Sequence, residues 1–415
     1  MGIIQRQSKI TGQALVQGLV FGFLENPQAT EVQLAQSVGR AGVAVTPQAV
    51  TARLNKEAAP FFQKVLERLT QIVVQPDSNT QTLLDKFSEV NVHDSTTVNL
   101  PDSLSKVWTG CGNRTTHGRA AVKLQAQWDL RSGALKLLTL HDGRAQDRSA
   151  PVQTAEITPN SLRLADLGYF DLSVFANIGH AQAYWLTRYL SGVKLFMPDS
   201  TPIDLPAWLE QHCTAGVEVD LPVLLGNEAR LPARLVAIRV PQHVADERRR
   251  KLRDKARGKG QTVSQLSLTL ASWSIFLTNI PPDRLSLDEI LIIARARWQI
   301  ELLFKLWKSS GRIDESRSNK PYRMLCELYA KMMGQLIQHW LIIYTCWANS
   351  DRSLVKAAAA VRSCATCLLV ALLSPSSSAI PAVIEVFARS VAATCRVSKR
   401  SKKLALFQLL AIDIP

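Results

Sequence analysis

The segment that most constrains this chain is ILIIARARWQIELLFKLWK, residues 290–308. At about 100° per residue, an α-helix over this segment places Arg297, Glu301 and Lys308 within a narrow arc on one face. Apolar side chains surround that charged stripe, whereas a solvated helix has a broad polar half. The alternative is a surface helix in which Glu301 pairs with Lys305, a contact that contributes only a few tenths of a kcal/mol. The apolar surroundings favour a functional carboxylate set into a protein interior beside basic groups.

The length and the composition limit the class of protein. A chain of 415 residues predicts two or three domains, and a hydrophobic content of 47% is enough to build their cores. The net charge of +15 indicates a polyanionic partner such as nucleic acid. A ribosomal or membrane-surface protein would share this charge, so the charge sets a class and no more.

The cysteines and the apolar segments favour a soluble, cytoplasmic protein with no membrane partner. Seven scattered cysteines indicate reduced thiols rather than a disulfide framework. Cys364 and Cys367 have the spacing of half a zinc site, but no second pair or nearby His completes it, and we interpret both as core residues. The N-terminus lacks a signal peptide, and the apolar helix predicted at 332–348 is shorter than the ~20 residues that span a membrane.

Residues 1–75 have the pattern of short helices. Thr30-Glu-Val-Gln33 has the form of a capping box, and Thr46-Pro47 supplies an N-cap followed by Pro at the first helical position. The second of these helices carries side chains that resemble those of a helix-turn-helix DNA reader: Gln48, Thr51, Arg53 and Asn55. The connection between the two helices exceeds the usual three or four residues, so a plain helical bundle is the alternative.

The next segments have the alternation of β-strands. Residues 86–94 predict a strand that ends at Asp94, and residues 120–143 predict a hairpin that turns at Arg131-Ser-Gly133. Most single Asp residues at strand ends form turns or caps, so Asp94 alone is weak support for a catalytic site.

A short apolar strand at 162–165 is followed by Asp166. Active groups in α/β sheets lie at the carboxyl ends of strands, which makes Asp166 a candidate. Asp171 opens a helix and is more plausibly its N-cap. A further strand at 183–190 carries Arg188.

Between residues 191 and 275 the composition changes to β-branched strand signals, at 217–225, 233–241 and 267–279. Residues 248–259 read RRRKLRDKARGK, which is either a solvated charged face or, as we prefer, a helix or loop that follows DNA phosphates. Trp185 and Trp273 are interpreted as core aromatics rather than a stacking platform for a base. After Lys308 the pattern is helical, with a break at 374–381 and a basic tail at 396–403.

Three of these segments resemble one known family. The spacing R-x3-E-x6-K at 297–308 is similar to the Y-R-E-K signature of DDE transposases from bacterial insertion sequences, the family named after insertion sequence four. Asp94-Ser-Thr resembles its first acidic motif, and ADLGYF at 165–170 resembles its second. The signature opens with Tyr, where this chain has Ala294.

The resemblance implies an α/β fold, with a ribonuclease-H-like catalytic core (a mixed sheet flanked by helices), an all-β insertion and helical N- and C-terminal regions. It implies that Asp94, Asp166 and Glu301 bind two Mg²⁺ ions, for which Mn²⁺ can substitute. The implied activity is cut-and-paste transposition, in which cleavage at the element ends precedes strand transfer into target DNA. The implied partners are terminal inverted repeats, target DNA and a second copy of the chain in a synaptic complex associated with the nucleoid.

The patterns and the resemblance together divide the chain into five segments: a helical DNA-binding domain at 1–75, the catalytic core at 76–190 and 276–345, a β-rich insertion at 191–275 and a helical C-terminal region at 346–415. The residues predicted to contact DNA are Arg297, Lys308, Arg188, Arg248, Arg249, Arg250, Lys251, Arg253 and Arg53. Two alternatives keep this fold: a nuclease without strand transfer, and a non-catalytic DNA-binding protein derived from a transposase, for which Ala294 is the hint.

Overall fold

The computed structural model of the protein describes residues 10–74, 83–112, 119–212, 218–347, 349, 351–397 and 409–410. The helices within these ranges are α1 Gly12–Glu25, α2 Glu31–Arg40, α3 Pro47–Arg53, α4 Ala58–Leu69, α5 Leu172–His180, α6 Leu205–His212, α7 Gln242–Arg257, α8 Gln265–Leu270, α9 Leu287–Ala296, α10 Trp298–Ser309, α11 Pro321–Cys346, α12 Leu354–Leu373 and α13 Ala379–Thr394. The strands are β1 Val90–Leu100, β2 Ala120–Asp129, β3 Leu135–Asp142, β4 Leu162–Ala165, β5 Tyr184–Arg188, β6 Leu195–Phe196, β7 Pro202–Ile203, β8 Glu218–Leu225, β9 Leu231–Arg239 and β10 Trp273–Thr278.

The chain forms two units, each built from segments that are distant in sequence. The first unit contains Met1–Thr82, Asp94–Ala145 and Trp298–Asp413. The second contains Leu83–His93, Gln146–Arg297 and Ile414–Pro415. The predicted division into five segments follows sequence patterns and stays a prediction.

The first unit is mainly helical, and α11 lies at its centre. This helix is buried along most of its length and packs against α1, α4, α12 and α13. Its buried residues are mostly apolar but include the charged side chains of Arg323, Glu327 and Lys331, which need bonded partners in such an interior position. Helices α1 and α2 also approach closely at Gly18, where an added Cβ atom would lie 2.5 Å from Cγ2 of Val38.

The helix starts predicted at the N-terminus are confirmed. The Thr30 side chain accepts a hydrogen bond from the Gln33 backbone, and Gln33 returns one to Thr30, which completes the capping box of α2. Thr46 caps α3, and Pro47 is its first residue. At the other end of the chain, the break predicted at 374–381 separates α12 from α13. The basic tail beyond Val397 lies outside the described residues.

The predicted hairpin is confirmed in the first unit, where the strand order is β3-β2-β1. Its turn contains Gly133 at φ +77°, a conformation that favours glycine. An added Cβ would lie 2.7 Å from the ring of Trp347, which covers this turn. Trp128 packs edge-on against His339 beneath it. The hairpin is therefore fixed by tertiary packing as well as by its turn residues.

In the second unit the strand order is β1-β4-β5-β10-β9-β8-β6-β7. Strands β1, β4 and β5 run parallel, and the pairs from β5 onward are antiparallel, which makes the sheet mixed. Helix α5 covers one side, where Phe175 stacks on Trp185 at 4.4 Å between ring centroids. Trp185 and Trp273 are both buried in this core, as predicted. Asp171 caps α5, also as predicted.

The prediction of one continuous helix over 290–308 is wrong. Helix α9 ends at Ala296 and α10 begins at Trp298, with Arg297 between them. Arg297 keeps helical dihedral angles, but its N–H bonds to the Arg295 carbonyl instead of continuing the α-helical ladder. Neither Pro nor Gly marks this break, so the periodicity of the sequence gave no sign of it.

The prediction of an all-β insertion at 191–275 is also wrong, because α6, α7 and α8 lie within it. The strand predicted at 267–279 begins only at Trp273, and the residues before it form α8. The Ser264 side chain accepts a hydrogen bond from the Ser267 backbone and caps that helix. The basic run at 248–259 is mostly in α7, as its helix-favouring Arg, Lys, Leu and Ala residues require.

Helix α12 is the one described helix that is long and apolar enough to cross a membrane, and 39% of its most apolar stretch is buried. It packs against α1, α11 and α13. Core helices of soluble proteins have the same composition, so this finding is weak support for a membrane span. Cys364 lies half-buried on α12, whereas Cys367 is exposed on its outer side, so the prediction of a core position is wrong for Cys367.

Candidate active site

A cavity of about 540 Å³ in the first unit brings together Asp94 of β1 with Glu301 and Lys308 of α10. The Asp94 carboxylate accepts a hydrogen bond from the Ser95 backbone at 2.8 Å. The Lys308 ammonium donates to the Thr97 carbonyl at 2.9 Å. Two of the predicted catalytic carboxylates and one predicted phosphate-binding cation therefore lie in one cavity.

Strand β1 runs past Asp94 instead of ending there, which corrects the sequence prediction. Its pairing with β4 ends at His93, whose register partner is Ala165, but the strand continues to Leu100. The first four residues of β1 are buried, and Asp94 is the first whose side chain is partly exposed. Asp94 therefore lies at the end of one pairing, in the middle of a longer strand.

Helix α10 places Glu301 by burying the residues around it. Its buried side chains are Gln299, Ile300, Leu303, Phe304, Leu306 and Trp307. Phe304 and Trp307 pack edge-to-face, with 5.8 Å between their ring centroids. The apolar surround is less complete than the sequence predicts, because Trp298 and Leu302 are 53% and 41% exposed. Glu301 is half-buried, which allows it to face the cavity while the opposite side of the helix packs into the core.

In the second unit, Asp166 directly follows β4 and precedes a short 3-10 turn, Leu167–Tyr169. Its Oδ1 lies 3.9 Å from a guanidinium nitrogen of Arg297, whose side chain is 12% exposed. Arg297 was predicted to bind a phosphate, and the ion pair gives this largely buried cation a carboxylate partner in the second unit. The Arg297 guanidinium can still bind an anion that approaches Asp166.

Buried polar groups lie on β1 and β4 shortly before these carboxylates. His93 is fully buried, and burial, followed by the nearby positive charge of Arg163, holds its pKa well below the ordinary value. Burial likewise lowers the pKa of Arg163 to about 10, and its guanidinium donates to the Gln153 side chain. The sequence analysis missed this cluster because single polar residues inside apolar strands carry no distinctive pattern.

Two further acidic residues of the cavity carry no distinctive sequence signal. Asp314 and Glu315 line it together with Asp94 and Glu301. They belong to a loop that follows α10, and two adjacent acidic residues in a loop usually form a solvated face. Only the folded chain reveals that they lie beside the candidate catalytic residues.

Arg188, Arg248 and Lys251 line a cavity of about 560 Å³ in the second unit. Arg248 donates to the Trp273 carbonyl at 2.8 Å and to the Ser274 hydroxyl at 3.0 Å. Burial, and then the positive charge of Arg188, lowers the pKa of Arg248. These two hydrogen bonds from Arg248 therefore hold α7 against β10.

Arg249 and Arg253 line a neighbouring cavity of about 730 Å³. Arg249 donates to the Leu268 carbonyl at 3.2 Å and to the Ser272 hydroxyl at 2.5 Å, so it also anchors α7. By contrast, the side chains of Arg250, Lys251 and Arg253 project from exposed positions of the helix. The predicted DNA-binding cations of α7 therefore form two groups. Arg248 and Arg249 anchor the helix, and the other three are exposed.

The helix-turn-helix candidates are in the first unit. Arg53 donates to the Ala49 carbonyl at 2.9 Å and is half-buried against its own helix. Gln48 is exposed, whereas the Asn55 side chain accepts a hydrogen bond from the Ala58 backbone at the start of α4. Asn55 therefore has a local capping role, and the DNA-reading role of this helix stays a prediction.

The chemistry of the cavity in the first unit fits a hard divalent cation. Carboxylate oxygens are the ligands that Mg²⁺ prefers, and Asp94 and Glu301 both present them to one space. No group of three or more His, Cys, Asp or Glu side chains is already arranged around a metal position in the described part of the chain. The donor atoms therefore suit the ion, and no complete ligand set is assembled among the described residues.

Residues 85–336 match the family model described as transposase DDE domain, a range that includes all three predicted catalytic residues. Because the described sheet is mixed and flanked by helices, this match is consistent with a ribonuclease-H-like core. A solved structure of a piggyBac transposase synaptic complex with hairpin DNA gives a TM-score of 0.43 at 10% identity, covering 96% of this chain and 81% of that chain.

Similar proteins include the transposase for insertion sequence element IS231F of Bacillus thuringiensis subsp. israelensis, which is 24% identical over 311 residues. That alignment covers 71% of this chain and 65% of the relative. The transposase for insertion sequence element IS1151 of Clostridium perfringens is 23% identical over 363 residues, covering 82% of this chain and 75% of the relative. The chain thus spans just under two thirds of the IS231F protein.

Proposed function

The chain belongs to the transposase DDE domain family, and on this basis we propose that it is a transposase that cuts DNA at the ends of its element and joins them to target DNA. The family match over residues 85–336 carries this proposal. That range contains Asp94, Asp166 and Glu301, in the order Asp, Asp, Glu that the family resemblance implies.

We assign the three carboxylates to catalysis. The shared cavity of Asp94 and Glu301 supports this assignment in the first unit. For Asp166 the support comes from its position immediately after Ala165, the register partner of His93 in the parallel pair β1–β4. Asp94 and Asp166 thus directly follow the last paired residues of β1 and β4, and carboxyl ends of strands such as β4 are the usual positions for active groups in α/β sheets.

Asp94, Asp166 and Glu301 would hold divalent cations through their oxygens, and we propose Mg²⁺, with Mn²⁺ as a substitute. Two such ions, when bound, stabilise negative charge on the attacking and leaving oxygens of a phosphodiester. In the first step water attacks phosphorus, the P–O3′ bond breaks and the element end keeps a free 3′-hydroxyl. In the second step that hydroxyl attacks a phosphodiester of the target, whose own P–O3′ bond breaks.

The basic side chains would bind and orient the DNA. Lys308 lies in the same cavity as Asp94 and Glu301, where its ammonium can contact a phosphate beside the cut. Arg297 would hold the Asp166 carboxylate in position through their ion pair until DNA binds. The exposed cations of α7, Arg250, Lys251 and Arg253, would follow the phosphate backbone, with Arg188 at the adjacent cavity.

The remaining assignments follow from the family. The proposed partners are the terminal inverted repeats of the element and its target DNA, with Arg53 in the N-terminal helices as a further DNA contact. We propose a homodimer in the synaptic complex, since two element ends must be held together. The proposed location is the cytoplasm, in association with the nucleoid.

The test is incubation of the full-length chain with linear DNA that carries the flanking element ends, in Mg²⁺, followed by addition of a target plasmid. Double-strand release of the element and its joining to the plasmid are the expected products. Release without joining would favour a nuclease, and end binding without any cleavage would favour a non-catalytic DNA-binding protein. Either of these results would overturn the proposed function.

A further inference from the structure

The acidic loop, residues 310–318, follows α10 and forms one wall of the cavity in the first unit. It supplies Asp314 and Glu315 to the lining. Its backbone is strained, because Arg312 has φ +45°, which side-chain-bearing residues rarely adopt. A Cβ on the preceding Gly311 would lie 2.5 Å from the Gln335 side chain, so the turn is pressed against α11. Strained backbone of this kind persists only where the surroundings hold it in place.

Helix α11 holds the acidic loop through buried charged side chains. Lys331 is 3% exposed, and its ammonium donates to the carbonyls of Arg312, at 3.0 Å, and Glu315, at 2.6 Å. Glu327, also 3% exposed, accepts a hydrogen bond from the Ser316 hydroxyl at 2.5 Å. Burying such ions is costly unless they are well bonded, so these contacts fix the loop in one position.

Arg323 extends this network to the N-terminal helices. Its Nε lies 2.9 Å from Glu327 Oε1, and a terminal nitrogen lies 2.6 Å from Glu31 Oε1 at the start of α2. Hydrogen bonds from Arg323 and then from Thr51 lower the pKa of Glu31, and Thr51 belongs to α3. One continuous series of polar contacts therefore joins α3 and α2 to the acidic loop: Thr51, Glu31, Arg323, Glu327 and Ser316.

A second connection runs beside the first. The Gln28 amide donates to Glu315 Oε2 at 2.6 Å, and the Arg317 guanidinium donates to the Gln28 carbonyl at 3.1 Å. Gln28 lies between α1 and α2. The loop is thus held on one side by α11 and on the other by the same N-terminal segment that is proposed to bind DNA ends.

We propose that Arg323 is a positioning residue for DNA cleavage, which fixes the acidic loop and the adjoining end of α10 to the N-terminal helices. This inference rests on the proposed function. Because the loop continues directly from α10 and lines the same cavity, a displaced loop would shift the end of α10 that carries Lys308. Arg323 touches neither DNA nor the reacting atoms, and it acts through Glu327 and Glu31.

The test compares single-turnover cleavage of element-end DNA, and its binding, across four variants of the full-length chain. Arg323→Met removes the link, and Arg323→Lys keeps its charge. Glu31→Gln weakens only the connection to α2 and leaves the buried Arg323–Glu327 pair intact, so it guards against loss of folding. Arg40→Met is the matched control, since it removes the exposed Arg40–Glu25 pair of α2, at 2.9 Å, without touching the loop.

We expect Arg323→Met to lower the cleavage rate about tenfold or more, because small displacements of catalytic groups have effects of this size. Its affinity for end DNA should stay within about twofold of wild type, and Arg323→Lys, which keeps the charge but not the separate donors to Glu31 and Glu327, should recover part of the rate. Glu31→Gln should show a smaller loss of the same kind, and Arg40→Met none. Wild-type cleavage by both Arg323→Met and Glu31→Gln, or an equal loss in Arg40→Met, would overturn the proposal.

Hydrogen exchange of a peptide covering 310–318 provides a readout that does not require activity. Glu31→Gln and Arg323→Met should accelerate exchange in this peptide, whereas Arg40→Met should not. Unchanged exchange in both Glu31→Gln and Arg323→Met would overturn the positioning role even if the enzyme cleaves DNA. If wild type binds ends without cleaving them, the proposed function fails, and the exchange result alone decides whether Arg323 anchors the loop.

Discussion

Helices α10 and α7 both carry cations that the sequence predicts to meet DNA, but the folded chain uses them differently. On α10, Lys305 and Lys308 line the cavity that contains Asp94 and Glu301, and Lys308 also donates to the Thr97 carbonyl. On α7, which is far richer in charge, Arg248 and Arg249 donate to backbone carbonyls and hydroxyls next to the helix. Burial and bonding partners, rather than the density of charge in the sequence, therefore decide which cations remain available to a ligand.

The largest expected effect is in the α10 cavity. Asp94→Ala and Glu301→Ala should each reduce end cleavage by at least about 100-fold, because each removes an oxygen ligand from the reacting centre. Binding of end DNA should be nearly unchanged in a gel-shift assay. Glu385→Gln, at an exposed position of α13, is the control and should cleave normally. If Glu301→Ala cleaves DNA within tenfold of the wild-type rate, α10 has no larger role in cleavage than α7.

The anchoring cations of α7 should affect stability instead of chemistry. Arg248→Met leaves the Trp273 carbonyl and the Ser274 hydroxyl without this donor, which should cost about 1–3 kcal/mol of unfolding free energy. Arg250→Met, at an exposed position of the same helix, should change it by less than about 0.5 kcal/mol. Chemical denaturation with urea measures both. Equal stabilities for the two variants would show that the contacts of Arg248 do not anchor the helix.

The response to pH should depend on the buried histidines, His339 in the first unit and His93 in the second, because burial lowers the pKa of both. Burial lowers the pKa of His339 from 6.5 to about 4. The unfolded chain takes up a proton near pH 6.5, so the stability from neutral His339 is complete above that pH and is lost as the pH falls toward 4. The loss should reach about 2 kcal/mol at pH 5.

Thermal unfolding between pH 5 and pH 7 measures this effect. His339→Gln keeps a side chain that can donate to the Gly133 carbonyl, which accepts from His339 at 3.0 Å, but it cannot titrate. Its stability should therefore depend less on pH than that of wild type. An identical pH dependence in the two proteins would assign the acid sensitivity to other groups.

The smallest expected effect concerns the exposed cations of α7. Lys251→Met or Arg253→Met should each weaken DNA binding a few-fold and lower the slope of log K against log salt by about 1, the value for one phosphate contact. The cleavage rate of bound DNA should not change. Arg389→Met, on exposed α13, is the control and should keep the wild-type slope. A wild-type slope in both α7 variants would leave this helix without a direct role in DNA binding.

Local signals were the most predictable part of the fold. The capping box at Thr30 and the N-caps at Thr46 and Asp171 depend on residues three or fewer positions apart, and all three are confirmed. The hairpin turn at Gly133 is confirmed for the same reason. Features that depend on distant contacts could not be predicted in this way. The helix break at Arg297, the extension of β1 beyond His93 and the position of Asp314 in the cavity all follow from tertiary packing.

The candidate site also combines residues that a local motif predicts with residues whose roles depend on distant contacts. The motif at 297–308 identified Glu301 and Lys308, and the cavity in the first unit brings them together with Asp94. The convergence of Asp166 with that pair stays a prediction. The anchoring roles of Arg248 and Arg249 were missed because a run of basic residues has the same appearance in a sequence whether its members bind backbone carbonyls or phosphates.

The most direct test of the central claim, that Asp94 and Glu301 serve one metal-dependent centre, is calorimetric titration of Mn²⁺ into the complex with end DNA. Wild type, Asp94→Asn, Glu301→Gln and the control Glu385→Gln are compared under identical conditions. We expect both active-site variants to lose at least about tenfold in Mn²⁺ affinity, because each removes a charged oxygen ligand, while the control binds as wild type does. Wild-type Mn²⁺ affinity in both Asp94→Asn and Glu301→Gln would contradict the claim.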